Sequence, residues 1–177
     1  MAKRATTSGL DLNFTFYEHL RAFYLENRGR IRQNYRELSR KFLDFNDPAN
    51  ATAFLRVPQF EALETYIFLK EFLDNQPVHR LFHDWSEKNG KFTGRHDIAL
   101  LEELNKGDYD KIFKRMKKQA RLYPNYIYAL TMGTGKTILM ATCIFYEFIL
   151  ANKFPKDKKY CHNALVFAPD RTVLQSL

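Results

Sequence analysis

The stretch from Tyr128 to Ala141, YALTMGTGKTILMA, constrains this chain more than any other. It closes the aromatic, β-branched run YIYAL (126–130), carries glycines at 133 and 135, and opens a helical pattern from Thr137 to about Ala151. Only a tightly wound loop turns several N–H groups inward at once, and glycine permits that winding. The helix that follows adds further donors and the positive end of its dipole. Gly133, Thr134, Gly135, Lys136 and Thr137 therefore suit a nucleotide's phosphates. In such a loop the Lys136 ammonium reaches the β- and γ-phosphates and the Thr137 hydroxyl ligates a Mg²⁺ ion. Leu130 stands where the strict pattern has glycine. The plainer alternative is a glycine-rich turn with a surface lysine. A strand before the loop and a helix after it favour the phosphate reading.

The rest of the chain reads as mostly helical. Residues 1–10 are expected to form a flexible tail. Helices are expected over roughly 14–27 and 30–45, the second with Ile31, Tyr35, Leu38 and Phe42 at helical spacing. Asn46, Asp47 and Pro48 mark a turn. Pro58 suits the first turn of the next helix, where a missing N–H costs nothing. That helix buries Leu63, Tyr66, Ile67 and Phe72 or Leu73. A short helix near 78–88 ends at Asn89-Gly90, GKFTGR is a loop, and helices near 97–106 and 109–121 are separated by Gly107. Pro124 breaks the pattern before YIYAL. ALVFA (164–168) reads as a second buried strand, and PDRTVLQSL starts another helix.

The fold class expected is α/β: a helical region over 11–122, then the opening strands of a P-loop domain over 123–177. The net charge of +8 suits an anionic partner, nucleic acid first. The two cysteines have no metal or redox spacing and suit a reducing cytoplasm. The basic N-terminus is no signal peptide. ILMATCIFYEFIL is interrupted by Glu147 and too short to span a bilayer, so no membrane partner is expected.

LTMGTGKT resembles the first motif of superfamily-2 helicases and translocases, closest to the motor subunits of type III and type I restriction enzymes. Two further segments carry the resemblance. FLRVPQFEALETY is similar to the family's upstream glutamine motif, and ALVFAPDRTVLQSL to its motif Ia; the three occur in the family's order. The resemblance implies a RecA-like domain, ATP and Mg²⁺ as cofactors, and double-stranded DNA as a partner. It implies that Gln59 reads adenine and that Arg56 packs on the base or binds a phosphate. It also implies nucleic-acid contacts by Pro169, Arg171 and Thr172. The separation of Gln59 from Lys136 exceeds that of compact members, so a helical block over about 76–122 must loop out and return.

No Asp-Glu pair follows a strand, and few residues remain after Thr137. The sequence therefore reads as the N-terminal piece of a larger motor, whose remaining domains and a DNA-recognition subunit would be partners. Hydrolysis is expected of the full protein rather than of this piece. The function expected is the ATP-binding part of an ATP-dependent DNA helicase or translocase of a restriction or phage-defence system. The rival is a helical interaction module with a vestigial P-loop; a small-molecule kinase is weaker, since the other two motifs would be coincidences. His79 and His83 have zincin spacing without the glutamate and read as ordinary histidines. Lys114, Lys117, Lys118 and Arg121, like the row Arg28, Arg32, Arg36 and Arg40, read as solvated faces. Trp85 reads as core.

Overall fold

The computed structural model describes residues 9–93, 106–131 and 133–167. The chain order is α1 (Gly9–Gln33), α2 (Glu37–Asn46), α3 (Val57–Ile67), a widened π-turn (Phe68–Phe72), α4 (Val78–Ser86), a 3-10 turn (Gly90–Phe92), α5 (Lys106–Gln119) and α6 (Lys136–Lys153). The chain divides into two compact units. Unit 1 comprises Met1–Gln33 and Phe72–Asn125, and unit 2 comprises Asn34–Glu71 and Tyr126–Leu177. No helix among the described residues is long and apolar enough to cross a membrane.

In unit 1, α1 presents Phe16, Leu20, Phe23, Tyr24 and Ile31 at three- and four-residue intervals, and all are buried. Phe16 meets Phe82 and Trp85 of α4 edge-on, with ring centroids 5.3 and 5.7 Å apart. Phe23 meets Phe92 at 5.1 Å. Leu81, Phe82 and Trp85 bury one face of α4, and Ile112 and Met116 that of α5.

In unit 2, α2 and α3 both pack on α6. Leu139, Tyr146, Leu150 and Ala151 are buried on one side of α6, Phe42 and Leu43 on α2, and Phe60, Leu63 and Ile67 on α3. Pro58 lies in the first turn of α3, as its missing N–H permits.

The α/β expectation is overturned: among the described residues there is no strand. YIYAL and residues 164–167 of ALVFA run without ladder partners. Ile127 is 95% exposed, Leu165 80% and Phe167 85%. A strand's main-chain groups are satisfied only by a neighbouring strand, and β-propensity expresses fit to such a surface rather than a local preference. Neither segment has that surface, so no RecA-like sheet forms among the described residues. The first segment still alternates as an extended chain: Tyr126 meets the Tyr66 ring at 5.5 Å and Tyr128 hydrogen-bonds Cys143, while Ile127 faces out.

Three helix boundaries also differ. α1 runs through Gly29 to Gln33, because Ile31 continues its buried stripe; a helix-interior glycine costs only about 1 kcal/mol. The break falls at residues 34–36 instead, so the four-arginine row does not lie on one helix. α5 begins at Lys106, so Gly107 lies in its first turn rather than before it. The expected long helix from Pro58 ends at Ile67 and continues as the π-turn. Leu63, Ile67, Phe72 and Leu73 are buried as expected, and Tyr66 is half-buried. Residues 1–8, 97–105 and 168–177 lie outside the described residues.

Candidate nucleotide-phosphate site

The loop before α6 has two glycines in the left-handed region, Gly133 at φ 78° and Gly135 at φ 73°. L side chains avoid that region, so both glycines meet a conformational demand. Gly135 also occupies the N-cap of α6, where no side chain supplies a cap. The first hydrogen bond of the helix runs from Leu139 N–H to the Gly135 carbonyl at 3.1 Å. The amides of Lys136, Thr137 and Ile138 therefore precede the ladder and have no helical acceptor. Thr134 Oγ1 donates to the Thr131 carbonyl at 2.6 Å, closing the turn. Lys136 is exposed, and its Nζ donates to the same carbonyl at 2.9 Å.

Gln59 reaches this loop from α3. Its Nε2 donates to the Gly135 carbonyl at 3.0 Å across 76 positions of sequence. Its Oε1 accepts from the Arg56 N–H at 2.7 Å, so the carboxamide also satisfies an orphan donor at the start of α3. The two partners fix the orientation of the amide. Gln59 is 2% exposed. A Cβ on Gly135 would press onto Gln59 Nε2, whereas one on Gly133 would meet nothing within 4 Å. Contact with Gln59 and the backbone angle thus both exclude a side chain at 135. Arg56 is exposed at the start of α3. Gly133 to Thr137, Gln59 and Arg56 all lie in unit 2; Pro169, Arg171 and Thr172 lie outside the described residues.

Unit 2 also buries a polar network that periodicity and motifs did not reveal. Lys70 Nζ pairs with Glu147 Oε1 at 2.6 Å, with side chains only 4% and 8% exposed. The Tyr66 hydroxyl donates to the same oxygen at 2.5 Å, and the Cys161 N–H to Oε2 at 2.9 Å. Glu71 Oε1 accepts from Ser39, from Tyr146 at 2.7 Å and from Tyr160 at 2.8 Å; its Oε2 accepts from the Arg36 N–H at 3.0 Å. Arg36 donates from Nε to the Tyr160 hydroxyl at 3.2 Å, pairs with Asp157 at 2.5 Å and lies 4.0 Å over the Phe154 ring. It is a tethered residue rather than part of a solvated face. Burial, then hydrogen bonding to Glu147, pushes the Tyr66 phenol far up; burial and Glu71 do the same for Tyr146. Both carboxylates direct their oxygens to protein donors, so their chemistry is structural. The signal in the sequence was a charge inside an apolar run: Lys70-Glu71 within YIFLKEFL, and Glu147 within IFYEFIL.

Both cysteines are free, and burial pushes both thiols up, that of Cys143 to about 12. No group of three metal-ligating side chains occurs among the described residues. No protein-family model, curated protein or solved structure matches the chain.

Proposed function

We propose that this chain is the ATP-binding part of an ATP-dependent DNA helicase or translocase of a restriction or phage-defence system. The observation that carries the reading is the hydrogen bond from Gln59 to Gly135. Two segments that resemble separate motifs of one family, far apart in sequence, meet on one loop. That loop has the backbone a phosphate needs: glycines at positive φ, an uncapped helix start and an adjacent lysine.

The residues present fit ATP and Mg²⁺. Lys136 would exchange the Thr131 carbonyl for the β- and γ-phosphates, a stronger, charge-assisted acceptor. Thr137 would offer its hydroxyl to the ion, with most ligands coming from phosphate and water, as Mg²⁺ prefers. When bound, Mg²⁺ would offset charge on the phosphates. A carboxamide has two donor hydrogens and an oxygen with two lone pairs. Gln59 holds the loop with one of each; since it is 2% exposed, the other two would meet adenine only after the base displaces what covers them. Arg56, exposed at the start of α3, would pack on the base or bind a phosphate.

The unpaired YIYAL and 164–167 segments favour a second reading, a helical nucleic-acid or protein interaction module with a vestigial phosphate loop. Nucleotide binding separates the two. Calorimetry with ATP and Mg²⁺ should show saturable binding, and Lys136→Ala should weaken it about tenfold or more, since it removes a charge-assisted contact. The circular dichroism of the variant should be unchanged, because Lys136 is exposed. Equal affinity in the variant sinks the phosphate-loop reading, and no binding by either protein favours the module.

A further inference from the structure

Two features that read as inert in the sequence come together in unit 1: the His79/His83 pair of α4 and the lysine face of α5. The histidine pair and Lys117 of that face line one open cavity of about 480 Å³. His79, Arg80, His83 and Asp84 come from α4, and Phe113 and Lys117 from α5. The Phe113 ring meets His79 edge-on at 5.8 Å and His83 at 6.2 Å, with Tyr109 stacked on it at 6.1 Å. Arg80 and Lys117 are exposed. The one carboxylate, Asp84, lies 3.7 Å from His83 Nδ1, so the lining is net positive even with both imidazoles neutral. His79 Nδ1 is buried and has no hydrogen-bond partner among the described residues. A buried polar atom ordinarily has one, from protein, solvent or ligand.

We propose that this cavity binds a nucleic-acid strand, its phosphate held by Arg80 and Lys117 and a base set against Phe113. Cations beside an aromatic face are how proteins grip a single strand without reading its sequence. Inorganic phosphate would use the cations but gain nothing from the ring. Burial first, then the charges of Arg80 and Lys117, hold the His79 imidazole below its ordinary value. The other titratable groups lining the cavity are His83 and Asp84. An anion between the two cations would offset their charge, the smaller cause after burial, and so raise the His79 value. The proposal rests on the nucleic-acid half of the reading above and is independent of its nucleotide half.

The test is fluorescence anisotropy of a labelled oligothymidylate of about ten nucleotides, within the usual span of single-strand sites. It uses the full chain without ATP or Mg²⁺, so a failure of the phosphate loop leaves the result untouched. Arg80→Glu with Lys117→Glu should weaken binding by well over tenfold. It should also reduce the log–log salt slope by about 0.7 for each phosphate that the variant no longer neutralises. Lys111→Glu with Arg115→Glu makes the same charge change on the exposed surface of α5 outside the cavity, and should cost far less. Phe113→Leu should weaken binding about tenfold, the worth of one stacked base, while leaving competition by inorganic phosphate unchanged. The His79 resonances should titrate at higher pH when the oligonucleotide is present. Circular dichroism checks the fold, and Arg80→Gln with Lys117→Gln replaces the glutamate pair if that pair unfolds. The proposal is overturned if the wild-type chain does not bind, if Lys111→Glu with Arg115→Glu costs as much as the cavity pair, or if inorganic phosphate binds as tightly as the strand.

Discussion

The two units solve the burial problem differently. Unit 1 fills its core with rings: Phe16, Phe82 and Trp85 pack together, as do Phe23 and Phe92, while the charges of Arg80 and Lys117 stay at an open cavity. Unit 2 puts charges inside. Glu147, on the helix that follows the candidate phosphate loop, meets Lys70, and Glu71 lies beside them among tyrosine hydroxyls. Apolar packing is non-directional and tolerates exchange of similar shapes, whereas a buried polar network is stable only when every member is satisfied. The difference suits the candidate site. A phosphate loop needs its helix held in one register, and the Tyr66–Glu147 and Tyr146–Glu71 bonds tie that helix to α3 and the π-turn.

The sharpest way to break the comparison is Glu147→Leu, which leaves the Lys70 ammonium buried without its partner. The expected loss is about 3–5 kcal/mol in urea unfolding, the usual cost of a stranded buried charge. The pair Lys70→Met with Glu147→Leu should recover most of it. A single variant within about 1 kcal/mol of wild type would mean that the network does not hold unit 2.

Gly135→Ala comes next. It forces a side chain into the left-handed region and onto Gln59 Nε2, at an expected cost of about 2–3 kcal/mol. Gly133→Ala meets open space and should cost only the backbone share, about 1–2 kcal/mol. Equal losses, measured by thermal unfolding, would show that Gln59 yields and does not brace the loop.

In unit 1, Phe82→Leu keeps the side chain apolar and near in size, so the loss should stay under about 1.5 kcal/mol. A larger loss would make the ring packing as exacting as the polar network.

The smallest effect expected is one of pH. Burial first raises Cys143 and Tyr126, each to about 12, so both are bound to their protons more tightly in the fold. A raised folded value contributes stability that is fully present below the unfolded value and lost as pH climbs through the folded one. For Cys143 that window runs from about 9 to about 12. At pH 10 the loss should be about 1 kcal/mol, and iodoacetamide should modify the half-buried Cys143 more slowly than the exposed Cys161. Rapid alkylation of Cys143 at pH 8 would overturn its placement.

The helices were legible because a helix is built from local hydrogen bonds and shows its buried face as a stripe. Leu63 and Ile67, and Ile112 and Met116, announce α3 and α5 in that way. The helix ends were less so: Gly29 looks like a stop, but burial of Ile31 carries the helix past it. The strands were misread because a strand depends on a partner. YIYAL has the right residues, and Ile127 still lies open.

At the site, the glycines, lysine and threonine of 133–137 stand together in sequence, so a glycine-bearing turn at the start of a helix could be read from the order alone. The sequence by itself determined the helical periodicity, the glycine-lysine loop and the positive charge, since each depends on neighbours along the chain. Tertiary structure alone decided that Gln59 braces Gly135, that Glu147 neutralises Lys70 inside unit 2, and that His79 and Lys117 share a cavity. Each of these joins residues distant along the chain, and a charge or an amide signals only that it needs a partner, never which one.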